Sequence, residues 1–261
     1  MLLAIDAGNT NVVFAVLDQD GNQRGQWRAS TEAKRTSDEY AVWLTQLMAL
    51  DGVRAEQICG AGIASVVPAI MHALKTLCRR YLKVEPMVIG EPGVEIGVEV
   101  RIARPDQVGA DRLADTVAAH QRFGGPLIVI DFGTATTFNV VGPDGAYEGG
   151  VIAPGVNLSL DALDRAAAKL PRIAISGPPK KVIGDATIPA MESGAYWGYV
   201  GLIEGIVGRI KAEYGKPLKV IATGGLAPLF AKATDCIDEL DPDITIRGLY
   251  LIHKANAERR A

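Results

Sequence analysis

The sequence has few cysteines and no excess of either charge, and each of these absences excludes a class of protein. Its three cysteines, Cys59, Cys78 and Cys236, lie far apart without a CxxC pair, which predicts a reduced, cytoplasmic protein without a zinc site. The 27 Lys and Arg residues are balanced by 30 Asp and Glu residues. Because binding to nucleic acid depends mostly on clustered positive charge, this balance argues against a nucleic-acid partner.

Long apolar runs are also missing. The N-terminus is apolar only as far as Ile5, and a signal peptide needs a longer apolar run. The 17 uncharged residues from Ile58 to Leu74 include two glycines and a proline, and they are short for a membrane span of about 20 residues. We therefore expect no membrane partner. A content of 48% hydrophobic and 22% charged residues is typical of a globular protein, and 261 residues suit one large domain or two small ones.

The chain repeats its opening sequence about halfway along. Residues 2–17 read LLAIDAGNTNVVFAVL, and residues 127–142 read LIVIDFGTATTFNVVG. Aligned without a gap at an offset of 125, the two segments share Leu2/Leu127, Ile5/Ile130, Asp6/Asp131, Gly8/Gly133 and Val16/Val141. An offset close to half the length predicts two related domains, 1–124 and 125–261, with a boundary at the Gly-Gly-Pro segment 124–126.

Each copy is predicted to form a strand meander followed by strands that alternate with helices. Alternation and β-branched content predict strands at 2–6, 11–17, 127–131 and 136–141, with a third strand near 23–30 and 145–153. A capping box at Thr36-Ser37-Asp38-Glu39 predicts the start of a helix. Further helices are predicted at 68–82, 105–123, 186–214 and 225–233, with strands at 61–66 and 218–222. This pattern favours an α/β protein with two mixed sheets covered by helices.

Two polar turns are the strongest candidates for chemistry. In Asp6-Ala7-Gly8-Asn9-Thr10-Asn11, the glycine permits close backbone approach, and the following N–H groups and side chains offer donors to phosphate oxygens. Asp6 is placed to orient a cation or its water shell. The segment 131–137 offers the same groups in the second half, and Thr223-Gly224-Gly225 offers a flat glycine surface for a base or ribose. Polar hairpin turns without a ligand remain the alternative. No GxxxxGK[ST] or GxGxxG motif is present, which disfavours Walker and Rossmann sites.

The order of these elements resembles the phosphate-1, phosphate-2 and adenosine motifs of the acetate kinase/sugar kinase/Hsp70/actin superfamily. That resemblance implies an α/β fold of two duplicated ribonuclease-H-like (actin-like ATPase) domains with a cleft between them. Within the superfamily the chain is similar to the type III pantothenate kinases. The motifs that carry this similarity are DAGNT at 6–10, GADR at 109–112, DFGTATT at 131–137 and GGVIAPG at 149–155, followed by Leu170-Pro171, Ile183-Gly184, Thr187, Ser193-Gly194 and Thr223-Gly224-Gly225.

The resemblance implies ATP-dependent phosphorylation of pantothenate to 4'-phosphopantothenate, the first step of coenzyme A biosynthesis. It implies that ATP is bound by Asp6, Ala7, Gly8, Asn9, Thr10, Asn11, Val12, Val13 and Thr134. Pantothenate would be bound by Gly109, Ala110, Asp111, Arg112 and Thr187, with Asp111 as the proton acceptor. Asp131 would hold a monovalent cation, potassium or ammonium, and magnesium would accompany ATP. The family also implies a homodimer.

Two positions depart from the family pattern and bear on the pantothenate contacts. Ile102 stands where the family often has tyrosine before GADR, and Ala186 precedes Thr187 where asparagine is common. Two alternatives to the pantothenate kinase therefore stay open. One is a non-catalytic regulatory or binding protein on the same scaffold, and the other is a kinase for a related hydroxyl substrate. The aromatic group Tyr196, Trp197 and Tyr199 is predicted to lie either in the core or at a dimer interface.

Overall fold

The computed structural model describes residues 1–167 and 170–259. These residues form two compact units, one of residues 1–122 together with the segment that begins at Asp243, and the other of residues 123–242. Each unit contains one five-stranded sheet. Among the described residues, no helix combines the length and apolar character needed to cross a membrane.

The sheet of the first unit is mixed. Its strands are β1 (Leu2–Ala7), β2 (Asn11–Leu17), β3 (Gln23–Ser30), β4 (Gly60–Ser65) and β5 (Pro86–Val88). They lie in the order β3-β2-β1-β4-β5, with β1, β2 and β3 antiparallel and β1, β4 and β5 parallel. The two tight turns of the meander explain the antiparallel part, because a parallel neighbour needs a long crossover connection.

The second unit repeats this topology. Its strands are β6 (Leu127–Phe132), β7 (Ala135–Val141), β8 (Tyr147–Pro154), β9 (Lys219–Gly224) and β10 (Glu239–Leu240). They lie in the order β8-β7-β6-β9-β10, and β6 is parallel to β9 as β1 is to β4. The predicted α/β class with a duplicated mixed sheet is thus confirmed.

The offset between the two copies changes inside the first turn. β6 begins 125 residues after β1, whereas β7 and β8 begin 124 residues after β2 and β3. The amide of Gly8 donates to the carbonyl of Asn11, but the amide of Gly133 donates to the carbonyl of Ala135. The second turn is therefore one residue shorter, and the ungapped alignment at 125 is wrong beyond Gly133. With this gap the buried and half-buried residues alternate identically in β1 and β6 and in β2 and β7.

Seven α-helices cover the sheets. They are α1 (Ser37–Leu50), α2 (Met71–Thr76), α3 (Ala110–Phe123), α4 (Val156–Ala166), α5 (Thr187–Tyr214), α6 (Ala227–Phe230) and α7 (Ile244–Glu258), all within the described residues. The capping box is confirmed, since Thr36 accepts from the amide of Glu39 and the carboxylate of Glu39 accepts from the amide of Thr36. α2 continues as a π-helical turn over Leu77–Tyr81. The helices α4 and α7 were not predicted from the sequence.

The last helix corrects the predicted division of the chain. The sequence placed all residues after 124 in one domain, but α7 packs in the first unit against β1 and β4. Its buried residues Ile246, Leu249 and Ile252 share an apolar cluster with Leu113 and Ala114 of α3. An apolar helix face must be buried against another element, and here it completes the cover on one face of the first sheet.

The start of α3 differs from the sequence prediction of a helix from Pro105. Pro105–Gln107 form a separate 3₁₀ turn, and Val108 is extended at φ −75° and ψ 127°. α3 therefore begins only at Ala110. The GADR segment is consequently not the middle of a helix but its N-terminus, which changes the environment of its acidic side chain.

Candidate active site

The first candidate site lies at the turn between β1 and β2. The turn is closed by a 3.0 Å hydrogen bond from the amide of Gly8 to the carbonyl of Asn11, and it leaves Asn9 and Thr10 exposed at the tip. Asp6 is half-buried near the end of β1. The side chains of Ala7 and Val12, predicted to line ATP, are buried in the core, so these residues can face a ligand only through their backbone.

Thr31, the residue directly after β3, makes two hydrogen bonds to this turn. Its amide donates to the carbonyl of Thr10 at 2.9 Å, and its hydroxyl donates to the carbonyl of Gly8 at 2.6 Å. Thr31 was not among the residues predicted for the site. The only signal available was a hydroxyl residue directly after the third strand of the meander, a position that becomes meaningful once β3 is known to pair with β2.

The second turn has the same construction in the other unit. Gly133 donates its amide to Ala135 at 3.1 Å, and the amide of Gly155 donates to the carbonyl of Thr134 at 3.0 Å. Thr134 is exposed and Asp131 is half-buried. The predicted ATP contact, Thr134, and the predicted cation ligand, Asp131, therefore lie at the same end of the second sheet.

Hydroxyl groups flank Asp131 on its own face of the sheet. Asp131 pairs with Thr137 across the antiparallel ladder and with Thr223 across the parallel one, and paired residues project to the same face of a sheet. The residues beside this carboxylate thus carry hydroxyl oxygens, and oxygen is the ligand atom that hard cations prefer. No group of three or more His, Cys, Asp or Glu side chains suited to a metal is found in residues 1–167 and 170–259.

The GADR segment lies beside the first turn. β4 pairs with β1 so that the amide of Val66, just after β4, donates to the carbonyl of Ala7 at 3.2 Å. The side chain of Val66 in turn lies against Gly109, within 3.4 Å of where a Cβ atom at that residue would stand. The fold therefore brings the end of the Asp6 strand and the start of α3 to one edge of the first unit.

Asp111 lies in the first turn of α3, where its environment acts on its charge in two directions. Burial raises the pKa of this carboxyl above its ordinary value of 3.8. A 2.8 Å hydrogen bond from the amide of Arg112 and the positive charge of that side chain oppose the effect but leave the pKa raised. A half-buried carboxylate with a raised pKa is a stronger base than an exposed one, which suits it to accept a proton.

Thr187 belongs to the second unit, together with Thr134 and Asp131. It is the first residue of α5, and Ala186 occupies the cap position without a side-chain hydrogen bond to the helix. Because alanine offers no acceptor to the first amides of a helix, the start of α5 keeps donors available. Ile102 is half-buried in the loop before the 3₁₀ turn.

Comparison with known proteins gives a consistent result. Residues 2–209 match the family model described as type III pantothenate kinase. Two relatives with the name type III pantothenate kinase are those of Paramagnetospirillum magneticum, 63% identical over 257 residues, and Rhodospirillum rubrum, 62% identical over 256 residues. The alignments cover 98% of this chain in both cases, and 98% and 99% of the relatives.

Solved structures with low sequence identity share the fold. A conserved protein assigned to the Baf family of transcriptional activators from Campylobacter jejuni aligns with a TM-score of 0.61 at 20% identity, covering 98% of this chain and 99% of that chain. An activator of 2-hydroxyisocaproyl-CoA dehydratase from Clostridium difficile, solved with ADPNP, aligns with a TM-score of 0.58 at 11% identity, covering 99% and 97%. At such identities the likeness establishes the architecture alone.

Proposed function

Because this chain belongs to the type III pantothenate kinase family, we propose a role in the phosphorylation reaction for each of its candidate site residues. The enzyme transfers a phosphoryl group from ATP to pantothenate and forms 4'-phosphopantothenate. We place this reaction at the entry to coenzyme A biosynthesis. The enzyme of such a reaction mainly positions its substrates and neutralises charge, and one side chain accepts the proton of the attacking hydroxyl.

Asp111 is the proton acceptor. Its carboxylate takes the proton of the pantothenate hydroxyl as that oxygen bonds to the γ-phosphorus of ATP and the bond from phosphorus to the ADP oxygen breaks. The observation that carries this assignment is the position of Asp111 at the first turn of α3, against Gly109, which in turn lies against Val66, the residue whose amide donates to the end of β1. The raised pKa of Asp111 increases its basicity in the same place.

The first turn binds ATP phosphates, with Asp6 to Val13 in this role, and the exposed Thr134 contacts ATP from the second unit. Backbone amides of such turns form anion-binding concavities, which suits phosphate oxygens. Supporting this role, each turn is closed by a hydrogen bond from a glycine amide, Gly8 or Gly133, and receives a second hydrogen bond from the residue directly after the third strand of its own sheet, Thr31 or Gly155.

Two cations are proposed. Magnesium would accompany ATP near Asp6, and this fits a site with a single carboxylate, because magnesium is usually bound by one or two carboxylates, water and substrate phosphates. A monovalent cation, potassium or ammonium, would lie at Asp131, where the neighbouring Thr137 and Thr223 offer hydroxyl oxygens. These cations supply positive charge to the phosphates, while the protein supplies their oxygen ligands.

Pantothenate is bound by Gly109, Ala110, Asp111, Arg112 and Thr187. Arg112 is suited to the pantothenate carboxylate because its guanidinium group forms bidentate pairs with carboxylates. Ile102 cannot donate the hydrogen bond of a tyrosine, so its apolar side chain offers packing instead.

We further propose that the enzyme acts as a cytoplasmic homodimer. The second unit exposes many large apolar side chains, and Ile152 and Ile183 are 64% and 84% exposed. The others among the described residues are Val151, Leu158, Leu163, Val182, Ile188, Trp197 and Leu240. These exposed apolar side chains support the proposal, because burying them against a second copy would remove apolar surface from water. The cytoplasmic location is supported by the three free cysteines.

One assay tests the catalytic proposal. ADP release is measured from purified enzyme with ATP, magnesium and potassium, with and without pantothenate. Asp111→Asn should lower turnover by about 10²- to 10⁴-fold while ATP affinity stays close to that of the wild type. An equal loss of ATP affinity would instead make Asp111 a nucleotide ligand. Replacing potassium by sodium should lower activity, and undiminished activity would refute the monovalent site.

The regulatory alternative is tested by the same assay. A protein that only binds would release no ADP in response to pantothenate. A kinase for another hydroxyl substrate would release ADP with that alcohol and not with pantothenate. The acidic residues Asp6, Asp111 and Asp131 favour the enzyme, because a binding protein has no need for a basic carboxylate at the start of α3.

A further inference from the structure

Tyr199, in the middle of α5, connects three segments of the second unit through one hydroxyl group. Its side chain is only 7% exposed. The hydroxyl donates to the carbonyl of Pro154 at 2.6 Å and lies 2.6 Å from the hydroxyl of Thr136. A carbonyl only accepts, so the single proton of Tyr199 goes to Pro154, and Thr136 is the donor to the tyrosine oxygen. The direction of both hydrogen bonds is therefore determined.

These contacts hold the two chain segments that enclose the Thr134 turn. Thr136 lies two residues after Thr134 on β7, and Pro154 ends β8. The next residue, Gly155, donates its amide to the carbonyl of Thr134 at 3.0 Å. A Cβ atom at residue 155 would stand 2.6 Å from the carbonyl oxygen of Gly133, so only glycine permits this approach. The position of Pro154 thus determines the position of the turn.

In the first unit, a single residue makes both the backbone and the hydroxyl contact to the turn. Thr31 stands where Gly155 stands in the second unit, 124 residues earlier, and its amide likewise donates to the turn through Thr10. Thr31 adds its own hydroxyl, which donates to Gly8. Glycine at 155 has no hydroxyl, and in the second unit the hydroxyl comes from Tyr199 on α5.

We propose that Tyr199 is a positioning residue for nucleotide binding, which acts by fixing the Pro154–Gly155 segment against the Thr134 turn. The inference rests on the proposed contact of that turn with ATP. Tyr199 does not touch the nucleotide; its effect passes through Pro154 and Gly155. Burial raises the pKa of the Tyr199 hydroxyl, so the group remains protonated and continues to donate at neutral pH.

The neighbourhood of Tyr199 allows the hydroxyl to be removed without disturbing the packing. Its ring contacts the ring of Phe230, with centroids 5.3 Å apart, and this contact is retained in Tyr199→Phe. Tyr196, one turn earlier on α5, is a matched control. It is 2% exposed and packs on the same Phe230 ring, with centroids 5.8 Å apart, and within the described part of the chain no hydrogen bond joins its hydroxyl to the Thr134 turn.

The experiment measures the affinity of the full-length enzyme for a non-hydrolysable ATP analogue by calorimetry, together with KM for ATP and for pantothenate. Tyr199→Phe and Thr136→Val should each weaken analogue binding and raise KM for ATP by about 5- to 20-fold, as expected for a lost buried hydrogen bond. KM for pantothenate should change by less than about twofold. Thr136→Ser, which keeps the donor, should restore analogue affinity, and Tyr196→Phe should match the wild type.

Thr134→Ala separates failure of this inference from failure of the proposed ATP contact. If Thr134→Ala weakens analogue binding while Tyr199→Phe does not, the positioning role is wrong and the ATP contact stands. If Thr134→Ala has no effect while Tyr199→Phe weakens binding, the positioning role stands and acts through the backbone of the turn. A Tyr199→Phe enzyme with a lower melting temperature but unchanged analogue affinity would show a merely structural hydrogen bond and overturn the inference.

Discussion

The carboxylate of Asp111 lies directly against Gly109, so closely that a Cβ atom at residue 109 would overlap its Oδ1 atom. The same oxygen accepts the 2.8 Å hydrogen bond from the amide of Arg112. The carboxylate is therefore confined between the backbone before the helix and the backbone of its first turn. Glycine at the first position of the GADR motif provides the space for this carboxylate, and not only a flexible link.

Gly109→Ala should therefore lower kcat by about 10²-fold, because a displacement of a reacting group by about 1 Å can cost that much. The added methyl group forces Asp111 out of its position, while ATP affinity should stay within about twofold. The measurement is steady-state ADP release with a parallel titration of an ATP analogue. Gly177→Ala is the matched control, because nothing lies within 4 Å of a Cβ atom there. A Gly109→Ala enzyme with wild-type kcat would show that Asp111 tolerates displacement.

The pH dependence of kcat/KM should report the protonation of the Asp111 carboxylate. A base must be deprotonated to accept a proton, and a raised pKa means that Asp111 becomes protonated at a higher pH than an exposed aspartate. Activity should therefore be lost, as the pH falls, through an apparent pKa above 3.8. The profile is measured for wild type and for Asp111→Asn, whose residual rate should lack this acidic limb. An identical limb in both enzymes would assign the titration to another group.

Thr31→Val should weaken the binding of ATP without affecting the binding of pantothenate. The substitution keeps the size of the side chain and the hydrogen bond from the residue 31 amide to Thr10, but it removes the hydroxyl that donates to Gly8. A lost hydrogen bond of this kind costs about 1 kcal/mol, which corresponds to about a fivefold rise in KM for ATP. Thr31→Ser retains the donor and should behave as the wild type. Equal kinetics for the valine and serine variants would show that the backbone hydrogen bond to Thr10 is sufficient to fix the turn.

Much of the architecture is readable from the sequence because the meander has local signals. Alternating apolar residues, a capping box and two Asp-x-Gly turns are features of short segments. The one-residue gap between the copies was also visible, since Asp20-Gly21 and Asp144-Gly145 are 124 residues apart and not 125. A gap inside a turn costs no core contact, whereas a shift in a strand would exchange its two faces.

The contacts that position the site could not be predicted in this way. Thr31, Val66 and Tyr199 have no distinctive local pattern, and their meaning depends on which segments the folded sheets bring together. The α7 assignment failed for the same reason. Its apolar residues indicate a buried face but not the sheet that covers it, and sequence proximity favoured the wrong half of the chain.

The C-terminal helix should stabilise the helix that carries Asp111. Thr245 of α7 donates its hydroxyl to the carboxylate of Asp115 on α3 at 2.7 Å, and Asp115 is only 1% exposed. Thr245→Val removes a donor from a buried carboxylate, so the free energy of unfolding should fall by about 1–3 kcal/mol. Chemical denaturation measures this change, and Thr245→Ser should recover most of it. Because Asp115 lies one helical turn after Asp111, kcat should fall in the valine variant more than ATP affinity does. Unchanged stability in Thr245→Val would show that α7 is held to α3 by its apolar residues alone.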